Sequence, residues 1–373
     1  MKQINYLSAL NRKKILHINA LYIILAIMFV LSIYNMHMIK RVYLAWASDS
    51  GRFEVADGTE YRHWHKNQAL DEALLNQVID KYRDLELPRE KKDIEIADLH
   101  IAEKIASIYG WDFKNISRIT EAQFYQKRST IMNSTWHGEL IELGYGEGWK
   151  NIDLKMNQCV LIVQFFLIIV LVPVFNEDEE IGMDYLIKST KHGKQRLCRL
   201  RIINGFQLSL MLYLSAVVIY VVPIFFMYGV QGANLPIQGS EKYFFSPVLV
   251  TYREQFFLNV SIGLLGTFLM TAIVLLVSSF IKQNYTGYVV LIFILVVSYM
   301  LNTTGDFVLS RYVGSFLPTG VTETARYYLE SDLLLGLPRL VVVPLLTLVI
   351  IGILTVLAAK KAGKECHFIK LDM

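Results

Sequence analysis

The chain has 373 residues, 54% of them hydrophobic and 12% aromatic, with a formal net charge of +4 at pH 7. That apolar share exceeds that of ordinary soluble domains and points to a membrane protein. The small positive charge comes without a basic stripe interleaved with aromatics, so the sequence offers no nucleic-acid surface.

Uncharged runs close to the roughly 20 apolar residues that cross a bilayer recur along the chain. The first lies within Ile15 to Ile39, in an opening segment of residues 1–39. It is longer than the h-region of a signal peptide, and no small-x-small site precedes Lys40 and Arg41, so it is expected to stay as a helix.

Residues 40–155 carry nearly balanced acids and bases and read as a soluble helical domain on the outer side. A helix is expected over Gln68 to Leu87, where Leu70, Leu74, Leu75, Val78, Ile79, Tyr82 and Leu85 repeat at helical spacing and Pro88 ends the pattern. A second is expected over Asp93 to Tyr109, with Gly110 closing it. A third begins at the capping-box pattern Thr120 to Gln123 and continues through Phe124, Arg128 and Ile131. His63 and His65 alternate, but no third ligand is placed by spacing, so they read as a surface pair. The glycine-rich "GYGEGWK" at Gly144 to Lys150 lacks Walker spacing, because Trp149 separates Gly148 from Lys150. It reads as a flexible hinge into the next span.

Span two occupies residues 156–175, a polar loop 176–201 follows, and residues 202–305 contain spans three to five. These lie within Ile202 to Tyr228, Phe256 to Ile281 and Tyr285 to Thr304. Residues 306–339 are too polar to span, yet they mix aromatics and leucines with Arg and Glu, which suits an outer interfacial segment lying on the membrane or dipping into it. A sixth span, from Leu340 to Ala359, and a tail complete residues 340–373. The expected fold is an all-α integral membrane protein of six transmembrane helices with a helical extracellular insertion between helices 1 and 2.

Lys and Arg fix the orientation. Lys2, Arg12, Lys13 and Lys14, the loop bases from Lys188 to Arg201, Lys282, and Lys360, Lys361, Lys364 and Lys370 all fall on one side if six helices alternate. That side is the cytoplasm, with both termini in it. Cys159 lies in span two, while Cys198 and Cys366 fall on the cytoplasmic side, so no disulfide framework is implied and no cysteine lies in residues 40–155.

No catalytic constellation stands out. Glu179 and Glu180 are followed by Asp184 rather than by His or Arg, which argues against intramembrane proteolysis. The six spans hold no ionisable residue at mid-depth, which disfavours ion-driven transport. No G-x-x-x-x-G-K-[ST] occurs, so the chain does not hydrolyse ATP by that machinery.

The segment "NEDEEIGMDYLIKSTKHGKQRL", Asn176 to Leu197, packs acids and then bases directly after an uncharged span. One reading is a solvated loop, in which the acids cap a helix start and the bases follow the positive-inside bias. The segment also resembles the first cytoplasmic loop of ABC-2-type transporter permeases, where an acidic pair precedes a glycine, an apolar pair, a hydroxyl residue and a base. Asp178 and Glu180 match the acids, Gly182 the glycine, Leu186 and Ile187 the apolar pair, Ser189 and Thr190 the hydroxyls, and Lys194 the base. Lys191 stands where the family often has proline. The likeness extends over the chain: six spans, inside termini, an insertion after span one and a semi-polar segment before span six.

This resemblance implies a non-catalytic permease subunit of an ABC exporter in a bacterial cell membrane, with no cofactor of its own. The residues Asp178, Glu180, Gly182, Leu186, Ser189 and Lys194 would couple it to a separate cytoplasmic ATPase subunit. A second permease, either another copy or a related chain, would complete the pathway. Between two bundles, Ser209, Tyr213, Ser215, Thr267, Thr271 and Ser278 would supply a modest polar lining in an otherwise aliphatic and aromatic cavity. Such a lining suits an amphipathic cargo: a hydrophobic peptide, a bacteriocin-like antibiotic or a drug. The outer domain would guard the exit or bind the cargo. The alternative is a membrane sensor or assembly protein whose outer helical domain binds a ligand. A neighbouring Walker ATPase gene would separate the two.

Overall fold

The computed structural model describes residues 26, 29–30, 33, 68–69, 142–143, 146–175, 193–240, 242–244, 246–281, 283–303, 312–329, 333–334 and 337–364. Helix makes up 84% of the residues that can be interpreted, which supports the helical class. In chain order the elements are strands β1 (Gln68–Ala69) and β2 (Glu142–Leu143), helices α1 (Glu147–Leu171), α2 (Gly193–Tyr228), α3 (Tyr252–Phe280), α4 (Asn284–Thr303), α5 (Pro318–Val321) and α6 (Ala325–Leu329), strands β3 (Leu333–Leu334) and β4 (Leu337–Pro338), and helix α7 (Arg339–Lys364).

Five helices are long and apolar enough to cross a membrane: Gly148–Val174, Leu197–Tyr228, Tyr252–Phe280, Asn284–Thr303 and Arg339–Ala362. They match expected spans two to six. Of the first expected span, only residues 26, 29, 30 and 33 are described, and all four are helical.

The outer surface and the interior reverse the pattern of a soluble bundle. Phe226 is 89% exposed, Met211 68% and Phe293 67%, whereas Gln164, Ser209, Thr267, Thr271 and Ser298 are fully enclosed. An outward band of aliphatic and aromatic side chains around hydrogen-bonded hydroxyls is what hydrocarbon solvent selects, because lipid rewards no apolar burial and tolerates no unpaired polar atom. The chain is therefore a multi-pass helical protein suited to a bilayer.

Helix α3 is the hub, packing against α7, α1, α2 and α5. Its start is set locally: Thr251 accepts from the Glu254 amide while the Glu254 carboxylate accepts from the Thr251 amide. Its buried face carries Gly263, Gly266, Thr267, Met270, Thr271 and Val274, small and large residues at helical spacing. The main core lies between α1 and α2, with Leu167, Ile168, Leu171, Tyr213, Ala216 and Ile224 enclosed. A second core joins α3 to α7 through Ile262, Leu269, Ala272, Val342 and Val343.

The connection from α2 to α3 folds over one end of the bundle, here called the cap end. Gly229 and Gly232 take φ of 80° and 79°, which lets the chain reverse at once after α2. The amides of Ile237, Tyr252 and Arg253 bond back to Val250, Leu235 and Ala233. The fully enclosed Gln238 donates to the Ser246 and Val248 carbonyls and so fills the middle of the connection.

Three expectations need correction. The proposed hinge at Gly144 to Lys150 is instead the rigid start of a span from Glu147 onward, with Gly148 buried so tightly against the Gly229 carbonyl that a Cβ would not fit. Trp149 adds an indole hydrogen bond to the Val230 carbonyl, 3.1 Å, and edge contacts with Phe225 and Phe256. Gly146 and Gly148 sit in close packing, against Tyr252 and the Gly229 carbonyl. Gln68 and Ala69, the expected start of a helix, pair antiparallel with Leu143 and Glu142, so main-chain pairing overrides the helical period at those positions. The rest of residues 40–141 lies outside the described residues. Lastly, Ser209, Thr267, Thr271 and Ser278 face the interior of a single bundle and do not line a cavity between two.

Candidate functional site

The site develops from a stripe on α1. Asp153, Asn157 and Gln164 fall on the face that α1 turns toward α3 and the segment 312–329, and each meets a different part of the fold.

Asp153 is the most heavily bonded. Its side chain is only 9% exposed, and one oxygen takes the Lys242 ammonium at 2.9 Å and the Tyr243 hydroxyl at 2.8 Å. The other takes the Asn259 amide at 2.9 Å and the Gln255 amide at 3.5 Å. Asn259 in turn accepts from the Tyr328 hydroxyl at 3.1 Å, and the Tyr328 carbonyl accepts from Ser246 at 2.7 Å. One carboxylate thus ties together α1, α3, the cap connection and α6. Burial and the adjacent Asp153 charge push the Tyr243 phenol far above its ordinary value, so it remains a donor. Tyr243 and Tyr328 stack edge to face, 5.6 Å between centroids, within a small core with Leu235, Ile237, Tyr252 and Ala325.

One turn deeper, Asn157 donates to Glu323 at 2.8 Å. Glu323 belongs to the segment that returns from α4 toward α7. Burial pushes its carboxyl above the ordinary 4.5; the Lys242 and Arg326 charges and the Asn157 bond pull the other way, and Asp153 adds to the rise. Arg326 directs its guanidinium to the Asn302 carbonyl in the last turn of α4, where a cation is favoured.

Deeper still, Gln164 donates to the Pro318 carbonyl at 3.1 Å. Pro318, Thr319, Gly320 and Val321 are all buried, and Thr322 packs its methyl against Gly266, at the midpoint of α3. Ser298 and Thr319 share a 2.5 Å hydrogen bond, and Asn302 donates to Thr319 at 2.8 Å, fastening the same turn to α4. The segment 312–329 is therefore re-entrant: it leaves α4 at the cap end, reaches the middle of the bundle at α5 and returns to α6. Irregular backbone at that depth is tolerated because protein surrounds it.

Below α5 the polar line continues with Ser209 and Thr271, 2.6 Å apart, while Thr267 bonds the Gly263 carbonyl. The buried side-chain oxygens of Gln164 and Asn302 have no hydrogen-bond partner among the described residues. Tyr213 is also enclosed, donating to the Val260 carbonyl at 2.7 Å. Ser215 is half-buried and bonds the Leu212 carbonyl. No cluster of three or more His, Cys, Asp or Glu suited to a metal occurs among the described residues. Cys159 and Cys198 are buried and take part in no disulfide among the described residues.

Of the residues matched to the coupling motif, Asp178, Glu180, Gly182, Leu186 and Ser189 lie outside the described residues, as do His63, His65, Glu179 and Cys366. Lys194 falls in the first turn of α2. The cluster of Asp153, Asn157, Lys242, Tyr243, Asn259, Glu323 and Tyr328 was not anticipated. Its signal was present in the sequence: polar residues at positions 153 and 157, and at 255 and 259, recur at helical spacing near one end of apolar spans. Comparison of the chain with protein-family models finds no match, and neither do comparisons with curated proteins and with solved structures.

Proposed function

We propose that this chain is the membrane-spanning permease subunit of an ABC transporter. In this reading it is a non-catalytic exporter component of a bacterial cell membrane, with both termini in the cytoplasm. A separate cytoplasmic ATPase supplies the energy, and a second permease, identical or related, completes the pathway. The cargo is amphipathic, a hydrophobic peptide, bacteriocin-like antibiotic or drug, so that export would confer antibiotic resistance.

The observation that supports this most directly is the form of α2. It begins at Gly193, at the edge of the acidic-to-basic segment, and runs without interruption to Tyr228. At about 1.5 Å per residue its 36 residues extend roughly 54 Å, well beyond a hydrocarbon core of about 30 Å. A partner that moved the 176–192 segment would therefore pull on one continuous helix that reaches the cap end, with Pro223 removing a backbone hydrogen bond near its far end. Asp178, Glu180, Gly182, Leu186 and Ser189 would make the contact, and Lys194 would stand where contact passes into rod. The five apolar spans and the buried turn between α4 and α7 accord with the same reading.

The test is gentle solubilisation of the tagged chain from its native membrane. A Walker-type ATPase should co-purify in near-equal amount, and Asp178→Lys with Glu180→Lys should abolish that association while leaving the protein inserted. Recovery of normal amounts of ATPase with the double variant removes the coupling assignment. A chain that purifies alone favours a sensor with an outer ligand-binding domain.

A further inference from the structure

The two acids at the cap end are held very differently. Asp153 has four donors from two parts of the chain, the cap connection and α3, including the Lys242 ammonium. Glu323, on the re-entrant segment and half-buried, has one donor among the described residues, Asn157, and no salt bridge. That bond fastens α1 to the re-entrant segment at this level; another, from Gln164 to Pro318, lies nearly two turns deeper. We propose that Glu323 and Asn157 form a proton-operated latch, which holds the re-entrant segment against α1 when Glu323 is neutral and releases it when Glu323 is charged.

The geometry gives the mechanism. A neutral carboxylic acid still accepts the Asn157 amide through its carbonyl oxygen and needs no further partner. A carboxylate in the same place has four lone-pair directions and a single donor, so it gains by moving toward water. Five titratable or charged groups face it: Asp153 on α1, Lys242 and Tyr243 on the cap connection, and Arg326 and Tyr327 on α6. Lys242 is already committed to Asp153, and Arg326 to the end of α4, so neither is released to pair with Glu323 without breaking another contact.

The sign follows from linkage. The closed state holds the Glu323 proton more tightly than an open, hydrated one, whose carboxyl titrates near the ordinary 4.5. Closure is therefore favoured in acid and weakens as pH rises from that value through the raised one. This device depends on the fold at the cap end alone, so it stands or falls separately from the ATPase.

The experiment uses the full chain in native membrane vesicles, with Cys366→Ser and a reporter, Thr322→Cys, in the buried contact with Gly266. Maleimide labelling is measured from about pH 5 to about pH 8, each point normalised to the denatured protein at the same pH to remove thiol chemistry. With Glu323 present, labelling should rise several-fold across this range. With Glu323→Gln, which keeps an acceptor for Asn157 but cannot ionise, it should stay low and flat. Asn157→Ala removes the bond that holds the segment, so labelling at about pH 5 should rise toward the level that the parent chain reaches only near pH 8, while Glu323→Gln stays low at both. Flat labelling with Glu323 present, an unchanged slope in Glu323→Gln, or parent-like low labelling in acid with Asn157→Ala each overturns the latch. If Glu323→Gln does not fold, the labelling of Asn157→Ala in acid decides.

Discussion

Asp153 shows how one side chain can set the architecture of a membrane protein's end. Its carboxylate meets Lys242, Tyr243, Gln255 and Asn259, so removing it leaves an ammonium and three neutral donors facing one another in a mostly dry site. Truncating one partner of a buried, hydrogen-bonded charge costs more than the bonds themselves contribute, because the remaining groups stay desolvated. Asp153→Ala should lower stability by roughly 3 kcal/mol, with some discount because Lys242 retains access to water. Asp153→Asn, which keeps acceptor geometry on one atom only, should cost less. Thermal unfolding of the detergent-solubilised variants measures both, and equal midpoints for Asp153→Ala and the parent chain would show that the network carries no stability. The residue was readable as polar at the border of a span. Its partners were not, since Lys242 and Asn259 are far away in sequence and only the folded cap brings them together. The expected lining residues show the converse. Ser209 and Thr271 were legible as polar groups in apolar helices, but periodicity alone does not tell whether a hydroxyl faces a neighbouring helix or a cavity. Their mutual hydrogen bond settles it.

At the scale of elements, the long spans were legible and their ends were not. Apolar runs located five helices because the bilayer demands about 20 such residues in a row. The helices exceed those runs, α1 beginning at Glu147 and α2 at Gly193, because their polar end turns are packed under the cap or extend past the hydrocarbon. The re-entrant segment was legible only as something semi-polar, and its depth comes from contacts. Gly266 makes that depth testable. A Cβ there would strike the Thr322 methyl and lie 3.1 Å from the Pro318 carbonyl, neither of which can retreat, since Thr322 bonds back to Thr319 and Pro318 accepts from Gln164. Helix propensity favours alanine over glycine by about 1 kcal/mol, while overpacking costs about 1–3 kcal/mol. Gly266→Ala should therefore destabilise on balance and raise hydrogen exchange in residues 312–329. Gly352→Ala on α7, where nothing lies within 4 Å, meets no such contact and should be neutral or stabilising. If both variants behave alike, the close approach of α5 to α3 is not what positions the turn.

For the whole molecule, the question is how an event at one end reaches the other. Interior hydroxyls bond within the bundle, and the described outer faces are aliphatic and aromatic, so a cargo path through the middle of this one bundle would have to break Ser209–Thr271, Gln164–Pro318 and Ser298–Thr319 together. In the proposed permease role, movement of whole helices against a second subunit would be the less costly route, and it would need connections from the 176–192 side to the cap end. Helix α2 is suited to that part: it is continuous from Gly193, and Tyr220 near its far end bonds the Asn151 and Ile152 carbonyls of α1, just before Asp153. Two glycines inserted near the start of α2 add backbone freedom and turn the segment before them by about 200° relative to the rest of the helix, so position is no longer transmitted along it. Placed between Arg196 and Leu197, they should leave insertion, folding and co-purification of an ATPase intact, because the 176–192 sequence is unchanged. They should nevertheless abolish any dependence of ATP hydrolysis on the cap end, such as its response to Glu323→Gln. Hydrolysis that still senses Glu323 in the insertion variant would mean that the signal bypasses α2, and the spans flanking the polar segment would no longer be the lever that links the two ends.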